Sequence, residues 1–253
     1  MQNIKEYVET KKLALKEQLK GSHLKAVIVR VGDDPASVRY TNNKIKDCLE
    51  VGIQAELLRF PETVAEDEFY EALRELNIDS SVTGYLVQLP LPKHLSEERV
   101  NSIIYAWKDI DGFNALSKTV PATPLGVFTY LKDMNYEFTG KNAVIIGRSN
   151  IVGRPMHKLL LDANMNVTVL HTKTSEEDKR FYLEHADLIV VAAGKAGVLN
   201  KSYRLKETAT VLDIGINFNS EGKLIGDCEP NLPVAFQSPT SRRNWFINKA
   251  CCN

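Results

Sequence analysis

A tyrosine and a lysine four residues apart, Tyr40 and Lys44, are candidates for proton-transfer chemistry. They fall within a helix predicted over residues 37–51, with Ser37 as its N-cap, so the two side chains share one helical face. A lysine that is partly removed from water has a lowered pKa and can act as a base near neutral pH. Most such pairs are solvated surface residues, and the spacing alone leaves that interpretation open.

Three further polar residues stand where a ligand would explain them. Gln88 comes late in a buried strand predicted over residues 84–89, where an uncharged polar group needs a hydrogen-bond partner or a ligand. Asp109 and Asp111 begin a polar segment, residues 109–121, that separates two blocks of the sequence. Domain junctions are favoured places for small-molecule sites. A loop carboxylate is usually only solvated, so the two acids do not decide the matter alone.

A glycine-containing turn in the second block indicates a dinucleotide phosphate site. Gly147 and Gly153 lie between a strand predicted over residues 142–146 and a helix predicted over residues 153–164. Gly147 permits a tight turn, and Gly153 permits close packing of the helix on the strand. Backbone N–H groups at the start of the helix can hold a pyrophosphate. Ser149 replaces the middle glycine of the usual pattern, so an ordinary strand-to-helix turn is the alternative.

The next strand favours NADP over NAD. Sites that prefer NAD usually end this strand with an acidic residue that binds the ribose 2′-hydroxyl. Here the strand predicted over residues 167–170 is followed by His-Thr-Lys-Thr, with no acid. Arg148, Lys173 and the threonine hydroxyls could accept a 2′-phosphate. Small residues at 192–197 and 213–217 lie at the carboxyl ends of two further strands and would leave room for a ligand. The alternative is that both segments are ordinary glycine-containing loops that bind no ligand.

The elements that must position these residues alternate between strands and helices in both blocks. The first block predicts helices over residues 4–20, 37–51, 63–77 and 95–105 and strands over 25–31, 53–59 and 84–89. The second predicts helices over 124–134 and 153–164 and strands over 142–146, 167–170, 187–192 and 210–214. This alternation indicates an α/β architecture with parallel sheets.

The composition excludes several classes of protein. The 253 residues carry 32 Lys+Arg and 32 Asp+Glu, so the cationic excess typical of nucleic-acid and membrane-surface binding is missing. No apolar run approaches the ~18–20 residues that span a bilayer, and the first residues are too polar for a secretory signal. The cysteines and histidines show neither a disulfide pattern nor metal-ligand spacing. We therefore expect a cytoplasmic protein without a metal or a nucleic-acid or membrane partner.

Together, the motifs resemble the bifunctional methylenetetrahydrofolate dehydrogenase/methenyltetrahydrofolate cyclohydrolase family (FolD type). The matching segments are residues 31–37 with Tyr40 and Lys44, and residues 86–92, 108–113, 147–155 and 213–217, in family order. The resemblance implies an N-terminal α/β catalytic domain over residues 1–118 and a C-terminal Rossmann-type NADP-binding domain with a parallel sheet over residues 119–237. A folate cleft would lie between them. We also expect a homodimer that serves one-carbon metabolism and purine biosynthesis.

The same resemblance implies roles for individual residues. Lys44 looks like the catalytic lysine, Tyr40 would stack on or orient the folate, and Gln88 would hold Lys44 and keep its pKa low. Asp111 would bind the donor-rich amino-pyrimidine edge of the pterin. The NADP site would be lined by Gly147, Arg148, Ser149, Thr172 and Ile216. The implied chemistry is oxidation of 5,10-methylenetetrahydrofolate by NADP and hydrolysis of the methenyl product to 10-formyltetrahydrofolate.

The sequence departs from the family pattern most strongly after residue 237. Asn114 and Ala122 stand where the family commonly has His and Cys, and residues 238–253 lack its glycine-rich loop and closing helix. Codons that encode residues 241–249 can, read one base over, encode Pro-Gly-Gly-Ile-Gly-Leu-Leu-Thr, which restores that loop. We interpret residues 238–253 as an aberrant tail produced by a frameshift, with a natural divergent tail as the alternative. Two other functions stay open: an NADP-dependent dehydrogenase alone, and a catalytically impaired folate- or dinucleotide-binding protein.

Overall fold

The computed structural model describes residues 4–114 and 116–238 of the chain. Apart from Ser238, the predicted aberrant tail over residues 238–253 lies outside the described residues. The chain forms two compact units that divide between Ala122 and Thr123. No helix in the described ranges is long and apolar enough to cross a membrane.

The first unit is a parallel three-stranded sheet with helices on both faces. Its helices are α1 (Ile4–Gln18), α2 (Pro35–Glu50), α3 (Glu66–Ile78) and α4 (Glu97–Ile103), and its strands are β1 (Lys25–Val31), β2 (Gln54–Phe60) and β3 (Gly84–Val87). The strand order is β2-β1-β3, with Ile28 opposite Leu57 and Leu86. The β-branched run of β1 is buried almost throughout, as a central parallel strand covered on both faces requires.

The two faces of β1 pack against different helices. Val29 belongs to a buried cluster with Phe69 and Leu73 of α3. On the opposite face, Nη1 of the buried Arg30 side chain donates a hydrogen bond to the Thr41 hydroxyl of α2 at 3.0 Å. Successive side chains of a strand point to opposite faces, so α3 and α2 lie on opposite sides of the sheet.

The second unit is a parallel five-stranded sheet with strand order β10-β7-β6-β4-β5. Its helices are α5 (Ala122–Asp133), which starts at the division, α6 (Gly153–Asp162) and α7 (Glu176–Glu184), and its sheet strands are β4 (Asn142–Ile146), β5 (Asn166–Leu170), β6 (Leu188–Val191), β7 (Thr210–Asp213) and β10 (Phe236–Gln237). Strands β8 (Asn217–Phe218) and β9 (Leu224–Ile225) form a separate antiparallel pair. Strand β4 has β5 on one side and β6 on the other, so the strand order reverses direction beside β4. Ligands of open parallel sheets bind outside the carboxyl ends of the strands at such a point.

The predicted α/β class with parallel sheets is confirmed, whereas the predicted N-cap of α2 is wrong and α7, β8, β9 and β10 were not predicted. Ser37 is not the N-cap of α2, because the helix begins at Pro35 and the Asp34 carboxylate accepts the Ser37 N–H at 2.8 Å. Aspartate caps a helix as well as serine does, and proline suits the first helical position, where its missing N–H costs nothing. Helix α7 is absent from the predicted elements because Leu183 is its only buried residue. The short strands β8, β9 and β10 were also not predicted, because two residues carry no periodicity.

Candidate functional site

The structure brings Lys44 and Gln88 of the first unit together. Strand β3 ends at Val87, so Gln88 lies just beyond the carboxyl end of the strand. The prediction that Gln88 belongs to the strand is therefore wrong. Lys44 Nζ donates a hydrogen bond to Gln88 Oε1 at 2.9 Å. Gln88 Nε2 donates to the Leu89 carbonyl at 2.7 Å, which keeps the oxygen of the amide turned toward the lysine. Both side chains are half-buried, so the amine is held in a defined place and stays accessible.

Helix α2 determines where the amine lies. Tyr40 comes one turn before Lys44, so both side chains leave the same face of the helix. Arg30 connects the start of α2 to the sheet, because it donates to Thr41 Oγ1 and, at 2.9 Å, to Asp33 Oδ1. The Arg30–Thr41 contact is buried and fixes α2 relative to β1, the strand that pairs with β3.

Two charged residues build the loop that carries Asp111. Lys108 is buried, and its Nζ donates to three backbone carbonyls at the end of α3 and in the turn that follows it. The Asp109 carboxylate accepts the N–H groups of Gly112 at 2.9 Å and of Asn114 at 2.8 Å. The predicted candidate Asp109 therefore shapes the loop from within, and Asp111 lies inside the turn that it closes.

Asp111 lies close to the end of β3. Asp109 forms a parallel bridge with Tyr85, so the chain runs on beside β3 toward the end where Gln88 stands. Only 6% of Asp111 is exposed, and it lines a small cavity together with Val87 and other apolar residues. The carboxyl end of β3 thus gathers an amine, an amide and a carboxylate from three segments of the sequence.

In the second unit, the turn after β4 has no room for side chains at two positions. Gly147 has a φ of +122°, and a Cβ there would lie 2.3 Å from the carbonyl oxygen of Ala192, directly after β6. A Cβ at Gly153, the first residue of α6, would lie 2.2 Å from the Gly147 carbonyl oxygen. The two requirements predicted for these glycines, a tight turn and close helix packing, are confirmed.

The other predicted cofactor residues follow the carboxyl ends of neighbouring strands. Arg148 and Ser149 follow β4, Thr172 follows β5 and Ile216 follows β7, so all of them belong to one edge of the sheet. The first three are exposed, and Ile216 is half-buried. Ser149 Oγ accepts the N–H of Val152 at 3.1 Å and orders the turn. A turn without side chains at its close contacts, followed by a helix start without a side-chain cap, fits a dinucleotide phosphate.

One residue at this edge, Asp227, was missed from the sequence. It is fully buried, and its Oδ2 accepts the N–H groups of Ala193 at 2.6 Å and Gly194 at 2.9 Å. Its Oδ1 accepts a hydrogen bond from Asn217 Nδ2 at 2.8 Å. Asp227 lies 34 residues after Ala193, and no spacing rule joins the two positions.

Sequence comparisons identify relatives of both units. The catalytic domain of tetrahydrofolate dehydrogenase/cyclohydrolase matches residues 1–111, and the NAD(P)-binding domain of the same enzymes matches residues 121–238. The chain is 42% identical over 227 residues to the bifunctional protein FolD of Ligilactobacillus salivarius, covering 86% of this chain and 78% of the relative. It is 39% identical over 241 residues to that of Oceanobacillus iheyensis, with coverages of 92% and 81%.

Solved structures agree with the sequence comparison. The bifunctional FolD methylenetetrahydrofolate dehydrogenase/cyclohydrolase of Campylobacter jejuni matches with a TM-score of 0.90 at 36% identity, covering 98% of this chain and 94% of that one. The 5,10-methylenetetrahydrofolate dehydrogenase of the silkworm Bombyx mori matches with a TM-score of 0.87 at 30% identity, with coverages of 98% and 93%. With both units matched by the domains of one enzyme family and with close relatives over most of its length, this chain belongs to the tetrahydrofolate dehydrogenase/cyclohydrolase family.

Proposed function

We propose that the protein oxidises 5,10-methylenetetrahydrofolate with NADP and hydrolyses the methenyl product to 10-formyltetrahydrofolate. The observation that carries the proposal is the Lys44–Gln88 hydrogen bond of 2.9 Å at the carboxyl end of β3. In a member of this family, that bond places a basic side chain in the unit that matches the catalytic domain. The NAD(P)-binding unit supplies the turn that fits the cofactor phosphates.

The cyclohydrolase step is the one for which Lys44 is needed. The substrate of this step is a methenyl cation, so a protonated lysine beside it would be repelled. We infer that neutral Lys44 accepts a proton from the water that adds to the cationic carbon. The bond from that carbon to N5 then breaks, N5 takes a proton, and 10-formyltetrahydrofolate is left with the net release of one proton. Gln88 keeps the amine aimed throughout, because its oxygen can only accept from Lys44.

The folate would be held by residues near the same strand end. Asp111 would accept hydrogen bonds from the amino-pyrimidine edge of the pterin, since a carboxylate offers two acceptors to that donor-rich edge. Tyr40 would stack on or orient the folate from the turn of α2 that precedes Lys44. When bound, NADP supplies the acceptor for the hydride that leaves the methylene carbon.

The second unit would select NADP through its exposed cationic residues. Gly147, Ser149, Thr172 and Ile216 would line the dinucleotide, and Arg148 would pair with the 2′-phosphate. No acid follows β5 in residues 171–174, so the 2′-phosphate would meet no carboxylate there. We therefore expect a lower KM for NADP than for NAD, and a clear preference for NAD would contradict this part of the proposal.

The decisive experiment compares Lys44→Met with Lys46→Met in an absorbance assay that follows NADPH and methenyltetrahydrofolate separately. Lys46 lies on the same helix with its side chain 73% exposed, so it controls for the loss of a charge on α2. We expect Lys44→Met to keep folate binding and to lose cyclohydrolase turnover by about 10²-fold or more. The Lys46→Met variant should keep both folate binding and cyclohydrolase turnover. Hydrolysis at the wild-type rate by Lys44→Met would refute the role of this lysine.

Finer features belong to the same proposal. We place the functional domains at residues 1–118 and 119–237 and propose a cytoplasmic homodimer whose product supplies purine biosynthesis. The two domain matches, over residues 1–111 and 121–238, support this division of the chain. Light scattering of the purified protein tests the dimer, because a monomer at all concentrations would exclude it.

A further inference from the structure

The carboxylate of Asp227 connects two segments that follow different strands of the second unit. Its Oδ2 accepts the N–H groups of Ala193 and Gly194, which come directly after β6. Its Oδ1 accepts the side-chain amide of Asn217, which follows β7 and is next to Ile216. The carboxylate thus receives three N–H donors, and no Asp227 ion pair forms within residues 4–114 and 116–238. Burying a carboxylate that is stabilised only by uncharged N–H donors costs free energy, and this cost indicates that the three hydrogen bonds serve the site.

The backbone beside Asp227 is shaped to admit it. A Cβ at Gly215 would lie 1.9 Å from Cγ of Asp227 and 2.0 Å from its Oδ1, so only glycine leaves space for the carboxylate. Asp213, at the end of β7, holds the residue from the other side, because its Oδ1 accepts the N–H groups of Asp227 at 3.0 Å and Gly215 at 3.1 Å. Burial, reinforced by the neighbouring Asp227, raises the pKa of Asp213.

One of the segments held by Asp227, the loop after β6, lies against the phosphate turn. Ala192 directly precedes the two N–H groups that Asp227 accepts, and its carbonyl oxygen would lie 2.3 Å from a Cβ on Gly147. A shift of residues 192–194 would therefore change the space around Gly147, while a shift of Asn217 would move the neighbouring Ile216.

We propose that Asp227 is a positioning residue for the dinucleotide: its buried carboxylate holds the loop after β6 and Asn217 in the arrangement that the cofactor site requires. The inference rests on the proposed use of NADP. It assigns Asp227 no direct contact with the cofactor or with reacting atoms. It predicts that the hydrogen bonds of the carboxylate, and not merely the space that it fills, determine the affinity for NADP.

The first test is Asp227→Asn, with NADP affinity measured by calorimetry and folding checked by thermal unfolding. The amide keeps the shape of the carboxylate, but its NH₂ group would face either two backbone N–H groups or the NH₂ of Asn217, which is held in that orientation because it also donates to the Gly226 carbonyl at 3.1 Å. We expect the Kd for NADP to rise about tenfold or more, while the KM for methylenetetrahydrofolate changes little. Glu221→Gln, the same change at an exposed residue between β8 and β9, should leave the Kd unaltered.

A double variant separates hydrogen bonding from packing. Gly215→Ala should lower both the Tm and the NADP affinity, because its Cβ occupies the place of the Asp227 carboxylate. Adding Asp227→Ala removes that clash, so the double variant should regain Tm over Gly215→Ala and still bind NADP as weakly as Asp227→Ala. If its NADP affinity recovers together with the Tm, or if folded Asp227→Asn binds NADP like the wild type, the positioning role is overturned. A wild-type protein that binds no NADP would instead refute the proposed cofactor, and the inference with it.

Discussion

Replacing Gly153 with alanine perturbs the closest contact of the phosphate turn. The new Cβ would lie 2.2 Å from the Gly147 carbonyl oxygen and 2.8 Å from Cα of Arg148. The first distance is about 1 Å shorter than the ~3.3–3.6 Å of ordinary C···O contacts. Gly147 cannot move toward β6, because the carbonyl oxygen of Ala192 already lies so close that a Cβ on Gly147 would be only 2.3 Å from it. The start of α6 must therefore move away from β4.

The expected cost is at the upper end of that for overpacking, about 3 kcal/mol in the free energy of unfolding. At ~2–4 °C per kcal/mol for a protein of this size, the Tm should fall by about 6–12 °C. Gly140→Ala is the matched control, because Gly140 has a φ of +76° but no atom near its missing Cβ. Left-handed strain of ~1–2 kcal/mol, partly offset by the restricted unfolded chain, leaves a net cost of ~1 kcal/mol and a fall of about 2–4 °C.

Thermal unfolding and NADP titration of both variants provide the assay. We expect Gly153→Ala to melt well below Gly140→Ala and to bind NADP more weakly, since the helix start that faces the phosphates is displaced. Addition of saturating NADP should raise the Tm of the control by as much as it raises that of the wild type. If Gly153→Ala melts no lower than Gly140→Ala, the close packing of α6 on the turn does not constrain this unit, and the reasoning fails.

Three further predictions concern charged residues. Burial alone would raise the pKa of Asp187, but hydrogen bonds from Lys206 and a backbone N–H hold it below its ordinary value. Asp187→Asn should therefore lower the free energy of unfolding by about 1–2 kcal/mol near neutral pH, and the difference should disappear as the pH falls through the folded-state pKa. Lys108→Met should lower the free energy of unfolding by about 2–4 kcal/mol, because it leaves buried backbone carbonyls without a hydrogen-bond donor. It should also raise the KM for folate. Lys118→Met, at an exposed position, should change neither quantity in denaturant unfolding and kinetic assays. Arg148→Ala should raise the KM for NADP about 10- to 100-fold and leave that for NAD unchanged, and equal effects on both would exclude a 2′-phosphate contact.

The accuracy of the predicted elements followed the strength of the local pattern. The β-branched runs of β1 and β4 were placed correctly, because burial on both faces leaves little choice of residue type. Helix α7 could not be found, since its charged sequence buries only Leu183. The N-cap of α2 was assigned to Ser37 rather than Asp34 because capping residues occur close together there and only the hydrogen bond distinguishes them.

The candidate site was predictable where residue types are unusual for their surroundings. A lysine on one face with a tyrosine, and a glutamine at the end of a buried strand, pointed to Lys44 and Gln88 separately, and the family resemblance implied the contact that the structure places between them. Lys108 and Asp227 gave no comparable signal, because a charged residue in a polar segment is predicted to be solvent-exposed. Their burial becomes visible only when the carbonyls and N–H groups that they bind are assembled around them.

The sequence by itself determined the α/β class, the family and the two glycines of the phosphate turn, because these depend on short-range spacing and on conformations that few residues adopt. Apart from the Lys44–Gln88 contact, which the family resemblance implied, only the tertiary structure decided which distant residues meet, and it alone gives the physical reason for each contact. Lys44 reaches Gln88 across 44 residues because α2 packs beside the sheet that ends at β3. Asp227 reaches Ala193 because the β8–β9 pair returns the chain to the edge beside β6 and β7. Strand order and crossover connections set these meetings, and residue spacing along the chain does not encode them.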